Sequence, residues 1–223
     1  LGEVVSDQTR LLILTNPSIA GTVYSGDALR RVRDLAVEHD FLVVSDELYE
    51  KLVYEGSHRS IGSLSGMAER TITVNGFSKG YAMAGFRLGY YTASAPILKA
   101  ASKVQTHTVS CATSFAQYGG IAALTGDQTP IERIRQIYET RRDGVVAELR
   151  KKGFEVPKPN AAFFVFIPLE GQDDSTVAKR IFEEQRVALL PGSVFGLDGY
   201  LRIAITVDTD RLREGVRRIA RCL

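Results

Sequence analysis

Apolar positions in the first half of the chain fall in short unbroken runs, interrupted by one stretch with helical spacing. LLILTN (11–16) and FLVVSDE (41–47) have strand length and are too uniformly hydrophobic for half-exposed strands. Such runs predict a parallel sheet covered on both faces. Between them, SGDALRRVRDLAVEHD (25–40) sets Leu29, Val32, Leu35 and Ala36 at helical spacing, with Ser25 as N-cap and a charged outer face. TITVNG (71–76) predicts a third strand, reached through a longer connection with small residues around Ile61 to Leu64. RLGYYTA (87–93) follows after a link of about ten residues, shorter than a usual parallel crossover, and so predicts an antiparallel return. The β-α-β order argues for an α/β fold with right-handed crossovers.

From Pro96 the periodicity becomes helical, through PILKAASKVQTHTV and TSFAQYGGIAALTG to a long amphipathic helix over 129–153 with a kink expected near Gly144. A different unit follows: strand AAFFVFIPL (161–169), helix STVAKRIFEEQR (175–186), short strand VALLPG, strand YLRIAIT (200–206) and helix TDRLREGVRRIARC (209–222). This α+β layout places a boundary inside the long helix, dividing the chain into 1–130 and 131–223.

Composition narrows the function classes. The 223 residues are 44% apolar with a net charge of +2, which gives no reason to expect nucleic acid or an anionic membrane as partner. No apolar stretch approaches the ~20 residues that span a bilayer, and no signal-peptide pattern is present. Cys111 and Cys222 lie far apart without metal-ligand spacing, and are read as free thiols in a reducing cytoplasm. His39, His58 and His107 are scattered and predict no metal cluster. The chain begins LGEVVSDQ, without Met, and runs almost at once into a strand, as a piece of a longer protein would.

The polar residues of the first half converge. Asn16 ends the first strand, Asp46 the second, and Ser78 with Lys79 the third, while Arg87 opens the returning strand and Tyr49 lies three residues past Asp46. Ligands of open α/β sheets sit outside the carboxyl ends of the strands. Each residue also has an ordinary structural role open to it: Asp46 as cap of a short helix over ELYEKL, Tyr49 as a rim residue, Lys79 as a solvated charge. Their joint position favours a site. A lysine in apolar surroundings near another cation becomes nucleophilic and forms Schiff bases with carbonyls. An arginine, a hydroxyl and the N–H groups of a glycine-containing turn suit a phosphate. A carboxylate opposite suits a protonated ring nitrogen. Pyridoxal 5′-phosphate (PLP) uses all three. GFSKG does not match the P-loop order, and a Ser-x-x-Lys dyad would need serine where Gly76 stands.

SDELYEKLVYEG followed by NGFSKGYAMAGFRLGY resembles the class I/II aminotransferases, PLP enzymes of fold type I, and the likeness runs from about residue 5 to the end of the chain. It implies a partial PLP-binding large domain over 1–130, a mostly parallel sheet with helices, and a smaller α+β C-terminal domain over 131–223. It also implies the C-terminal portion of the usual chain, working as a homodimer or with a complementing chain on an amino acid and a 2-oxo acid. Position by position, the resemblance implies that Lys79 holds PLP and shuttles the substrate proton. It further implies that Asp46 pairs with the pyridinium, Tyr49 bonds the phenolic oxygen, Ser78 and Arg87 hold the phosphate, and Arg202 clamps the substrate carboxylate. The family pattern N-P-x-N-P-T-G is replaced by NPSIAG (16–21), so Asn16 either takes over the ring-oxygen contact or leaves it to Tyr49. A lyase or synthase of the same fold, or a silent remnant acting through a partner chain, are the alternatives. Gly62, Phe163 and Phe195 are candidates for lining the side-chain pocket, against a core role for the phenylalanines.

Overall fold

The computed structural model describes residues 1–223, which divide into two compact units: Leu1–Ser18 with Thr22–Ile134, and Ile19–Gly21 with Arg135–Leu223.

In the first unit, strands β1 (Leu11–Thr15), β2 (Leu42–Asp46) and β3 (Thr71–Gly76) run parallel in that order, and β4 (Gly89–Thr92) returns antiparallel beside β3. Helix α1 (Gly26–Glu38) links β1 to β2, and the Ser25 hydroxyl accepts from Ala28 N at 3.1 Å as its cap. Its apolar stripe of Leu29, Val32 and Ala36 packs with Leu14, Phe41, Val43, Ile61, Leu64 and Met67. Each of these side chains larger than alanine contributes about 1.5–3 kcal/mol by leaving water.

The expectation that both sheet faces are covered holds only in part. Side chains alternate along a strand, so Leu12 and Leu14 turn toward α1 while Leu11 and Ile13 face the other way. They remain 48% and 69% exposed, on a strand that is also an edge of the sheet. Helices α2 (Ala95–Thr108) and α3 (Ser114–Thr125) follow, and they too leave Val104, Phe115, Tyr118 and Ile121 largely in solvent.

The second unit takes up most of α4 (Thr129–Lys151), which forms one continuous helix through Gly144. Strands β5 (Phe164–Pro168), β6 (Leu190–Pro191) and β7 (Tyr200–Ala204) form an antiparallel sheet in the order β5-β7-β6. Helices α5 (Asp174–Gln185) and α6 (Thr209–Ile219) are capped by Asp173 and Asp208. The strand expected over VALLPG shrinks to two residues, because Pro191 lacks a donor and the chain then enters a 3-10 turn over Gly192–Phe195. Residues 19–21 belong to this unit: the Gly21 carbonyl accepts from Asn160 N and Ala161 N at 2.8 and 3.0 Å. No helix is long and apolar enough to cross a membrane.

Candidate active site

The ends of β1, β2 and β3 are held level by backbone bonds that extend the sheet past its strands. Asn16 N donates to Asp46 O, and Glu47 N to Val74 O, both at 2.9 Å. Asn16, Asp46 and the segment after Gly76 thus share one edge, as their positions in the sequence implied. Asp46 caps no helix. Its Oδ1 accepts from Leu48 N at 3.2 Å, and residues 48–51 form turns, with Glu50 N on Glu47 O and Leu52 N on Tyr49 O. This turn buries Tyr49.

Lys79 lies in a tight turn that closes on itself through Ala82 N to Lys79 O and Met83 N to Phe77 O. Gly80 is required there by close approach: a Cβ would come within 2.7 and 2.9 Å of Lys51 Cβ and Cγ. The lysine turn is therefore seated on the turn that carries Tyr49. Phe77, buried just before Ser78, packs at a tilt against Tyr81 and Tyr90. Gly120 of α3 leaves room for Phe77 and Leu88, where a Cβ would meet Leu88 Cδ2 at 2.6 Å. Lys79 is half-buried. Arg87 is exposed, adopts a left-handed φ of 51°, and rests its Nη1 on Ala84 O at 3.1 Å.

Asn16 is almost fully buried, with its amide engaged by backbone. Nδ2 donates to Arg59 O at 3.0 Å and Oδ1 accepts from Tyr24 N at 3.2 Å. Arg202 lies in the second unit, on β7, with its guanidinium carbon 4.1 Å from the Phe164 ring centre and 3.8 Å from that of Phe195. A guanidinium at this distance from two aromatic rings is held by cation–π attraction. Phe163 is buried against Tyr138 and Phe164, in keeping with a core role.

Sequence reasoning passed over Glu47, which is 3% exposed. Ser45 Oγ and Ser60 Oγ donate to its Oε1 at 2.8 and 2.6 Å, and His58 Nε2 lies 3.0 Å from Oε2. Burial pushes this carboxyl up, but the bonds from His58, Ser60 and Ser45 outweigh it and hold the pKa below its ordinary value. The signal available beforehand was a second acidic residue at a strand end, inside an otherwise apolar run.

The family model for aminotransferase class I and II matches residues 2–219. The chain belongs to this family. Among its relatives, an aspartate aminotransferase of Bacillus subtilis is 37% identical over 99% of this chain and 59% of its own length. The crystal structure of an aromatic aminotransferase from Pyrococcus horikoshii superposes with a TM-score of 0.95 at 38% identity, over 99% of this chain and 61% of that one. The aspartate aminotransferase of Thermus thermophilus with maleate gives 0.94 at 34% identity, over 99% and 59%. The fold is thus the α/β aminotransferase fold that the motifs implied. The chain spans about 59% of the length of the curated relatives it matches.

Proposed function

We propose that this chain carries the cofactor lysine of a PLP-dependent aminotransferase that moves an amino group between an α-amino acid and a 2-oxo acid. The observation that carries the reading is the Lys79 turn, seated through Gly80 on the Tyr49 turn at the same sheet edge as Asp46. The donor set suits PLP. It comprises an amine for the aldehyde, a hydroxyl and a guanidinium for the phosphate, a carboxylate for the ring nitrogen and a phenol for the ring oxygen. When bound, PLP supplies an aldehyde and a ring that accepts electron density.

The chain's own residues do the rest. Lys79 would hold the cofactor through its aldehyde and would move the proton at the substrate Cα. Asp46 would pair with the protonated ring nitrogen, and Tyr49 would donate to the ring oxygen. Ser78 and Arg87 hold the phosphate, and Arg87 has donors beyond the one on Ala84 O. Asn16 is the second candidate for the ring oxygen, with one Nδ2 hydrogen beyond that given to Arg59 O. Arg202, beside the rings of Phe164 and Phe195, would take the substrate carboxylate. Relatives named as aminotransferases favour transfer over elimination chemistry. Further polypeptide, as a second copy or a complementing chain, is proposed to cover Ile13 on β1 and Phe115 and Tyr118 on α3, large apolar side chains left mostly in solvent. The free thiols of Cys111 and Cys222 support a cytoplasmic setting.

The test is PLP addition to the chain, borohydride reduction and peptide mapping. A pyridoxyl group on Lys79, lost in Lys79→Ala and retained at lower PLP affinity in Arg87→Ala, is the expected result. Reducible PLP on another lysine, or none on the folded chain, overturns the assignment.

A further inference from the structure

We propose that Glu47 is a positioning residue for Asn16: its buried carboxylate anchors the 58–60 segment so that the Arg59 carbonyl sets the orientation of the Asn16 amide. The proposal rests on the reading above, in which Asn16 is the second candidate, beside Tyr49, for the cofactor ring oxygen.

Successive side chains of an extended strand point to opposite faces. Ser45 and Glu47 therefore share the face opposite Asp46, and their direct bond at 2.8 Å agrees with this. A carboxylate taken out of water destabilises the fold by several kcal/mol unless it is fully hydrogen-bonded. Glu47 meets that demand with donors from two places, its own strand through Ser45 and the 58–60 segment through His58 and Ser60. An ionised carboxylate only accepts, so His58 carries its proton on Nε2. Its Nδ1 is buried without a partner, and Glu47 is therefore what holds this ring.

His58 and Ser60 bracket Arg59, whose carbonyl accepts from Asn16 Nδ2 across 43 residues of sequence. The other end of that amide accepts from Tyr24 N. The Asn16 amide is thus gripped at both ends, and the grip at Arg59 depends on two neighbours tied to one carboxylate. The strand backbone has independent supports, Asn16 N on Asp46 O and Glu47 N on Val74 O. Loss of the anchor should release the amide and leave the sheet in place.

Three variants separate positioning from general support. Ser60→Ala removes a donor on the 58–60 segment, Ser45→Ala removes one on β2, and Glu47→Gln removes the charge. The readouts need no cofactor: the side-chain amide resonances of Asn16 in a ¹⁵N-labelled sample, and hydrogen exchange at Tyr24 N–H, whose acceptor is Asn16 Oδ1. Ser60→Ala and Glu47→Gln should shift the Asn16 amide peaks and speed Tyr24 exchange about tenfold relative to the sheet amide of Val43. Ser45→Ala should leave both near the parent values. If Ser45→Ala and Ser60→Ala act alike, or neither moves Asn16, the carboxylate is only a satisfied core group and the proposal fails. Should Glu47→Gln not fold, the serine pair decides by itself. Absence of a pyridoxyl group on Lys79 would sink the functional reading and leave this outcome standing.

Discussion

Gly21 closes NPSIAG, the stretch in which the family pattern is most altered, and its surroundings tolerate no side chain. A Cβ there would sit 2.3 Å from Pro159 Cβ and 2.8 Å from the Ala161 carbonyl oxygen, and φ is +78°. Gly21→Ala therefore meets two penalties, a left-handed conformation worth about 1–2 kcal/mol and an overlap with backbone and a rigid ring worth about 1–3 kcal/mol. It also gains about 0.4–1 kcal/mol from a less flexible unfolded chain. Gly171 isolates the conformational part, since it has φ +69° and no atom within 4 Å of where a Cβ would stand. The expected loss is about 1 kcal/mol for Gly171→Ala and about 3 kcal/mol for Gly21→Ala, the difference being the overlap. In urea, with a slope of about 2 kcal/mol/M, the midpoints should fall by about 0.5 M and about 1.5 M. Circular dichroism gives the midpoint. Hydrogen exchange at Asn160 and Ala161, whose amides bond the Gly21 carbonyl, localises the damage. Equal losses in the two variants, or unchanged exchange at Asn160 and Ala161, would refute the packing argument.

Two further outcomes are expected. Glu47 has a folded-state pKa below its ordinary value of 4.5, so between the two values the unfolded chain binds more protons. Its contribution is fully present above the unfolded value and is lost as pH falls through the folded one. Glu47→Gln should therefore flatten the acid limb of a stability–pH curve; an unchanged limb would mean that the hydrogen bonds around Glu47 carry no net stability. Ser25→Ala should cost about 1 kcal/mol by leaving the Ala28 amide without its cap, measurable as a lower urea midpoint, whereas a cost near zero would show that water replaces the hydroxyl.

The outline of the fold was legible because its signals are local. Runs of strand length, the Ser25 cap, and a link too short for a parallel crossover gave β1 to β4 and α1 in their places. The lysine motif, read with the Asp–x–x–Tyr before it, was specific enough to reach the family. What failed to read through was set by neighbours. LLILT looks like a strand covered on both sides, yet Leu11 and Ile13 stand in solvent, because hydrophobicity records what a strand can bury and not what is there to bury it.

Asn16 shows the same division at a single residue. Its place at the end of a strand follows from the sequence, but the engagement of its amide by Arg59 O and Tyr24 N joins positions 43 and 8 residues away. Glu47 was unremarked because an acidic residue next to Asp46 carries no sign of which face it takes. Only the pleat, which turns it away from Asp46 toward His58 and Ser60, makes it a buried anchor. Arg202 could be singled out from its motif, whereas the approach of Phe164 and Phe195 to its guanidinium arises from the pairing of β5 with β7 and from the Gly192–Phe195 turn. Local periodicity and motif spacing determined the elements and the chemistry they offer. Burial and the partner of each polar group were decided by contacts distant in sequence, which exist only once the chain has packed.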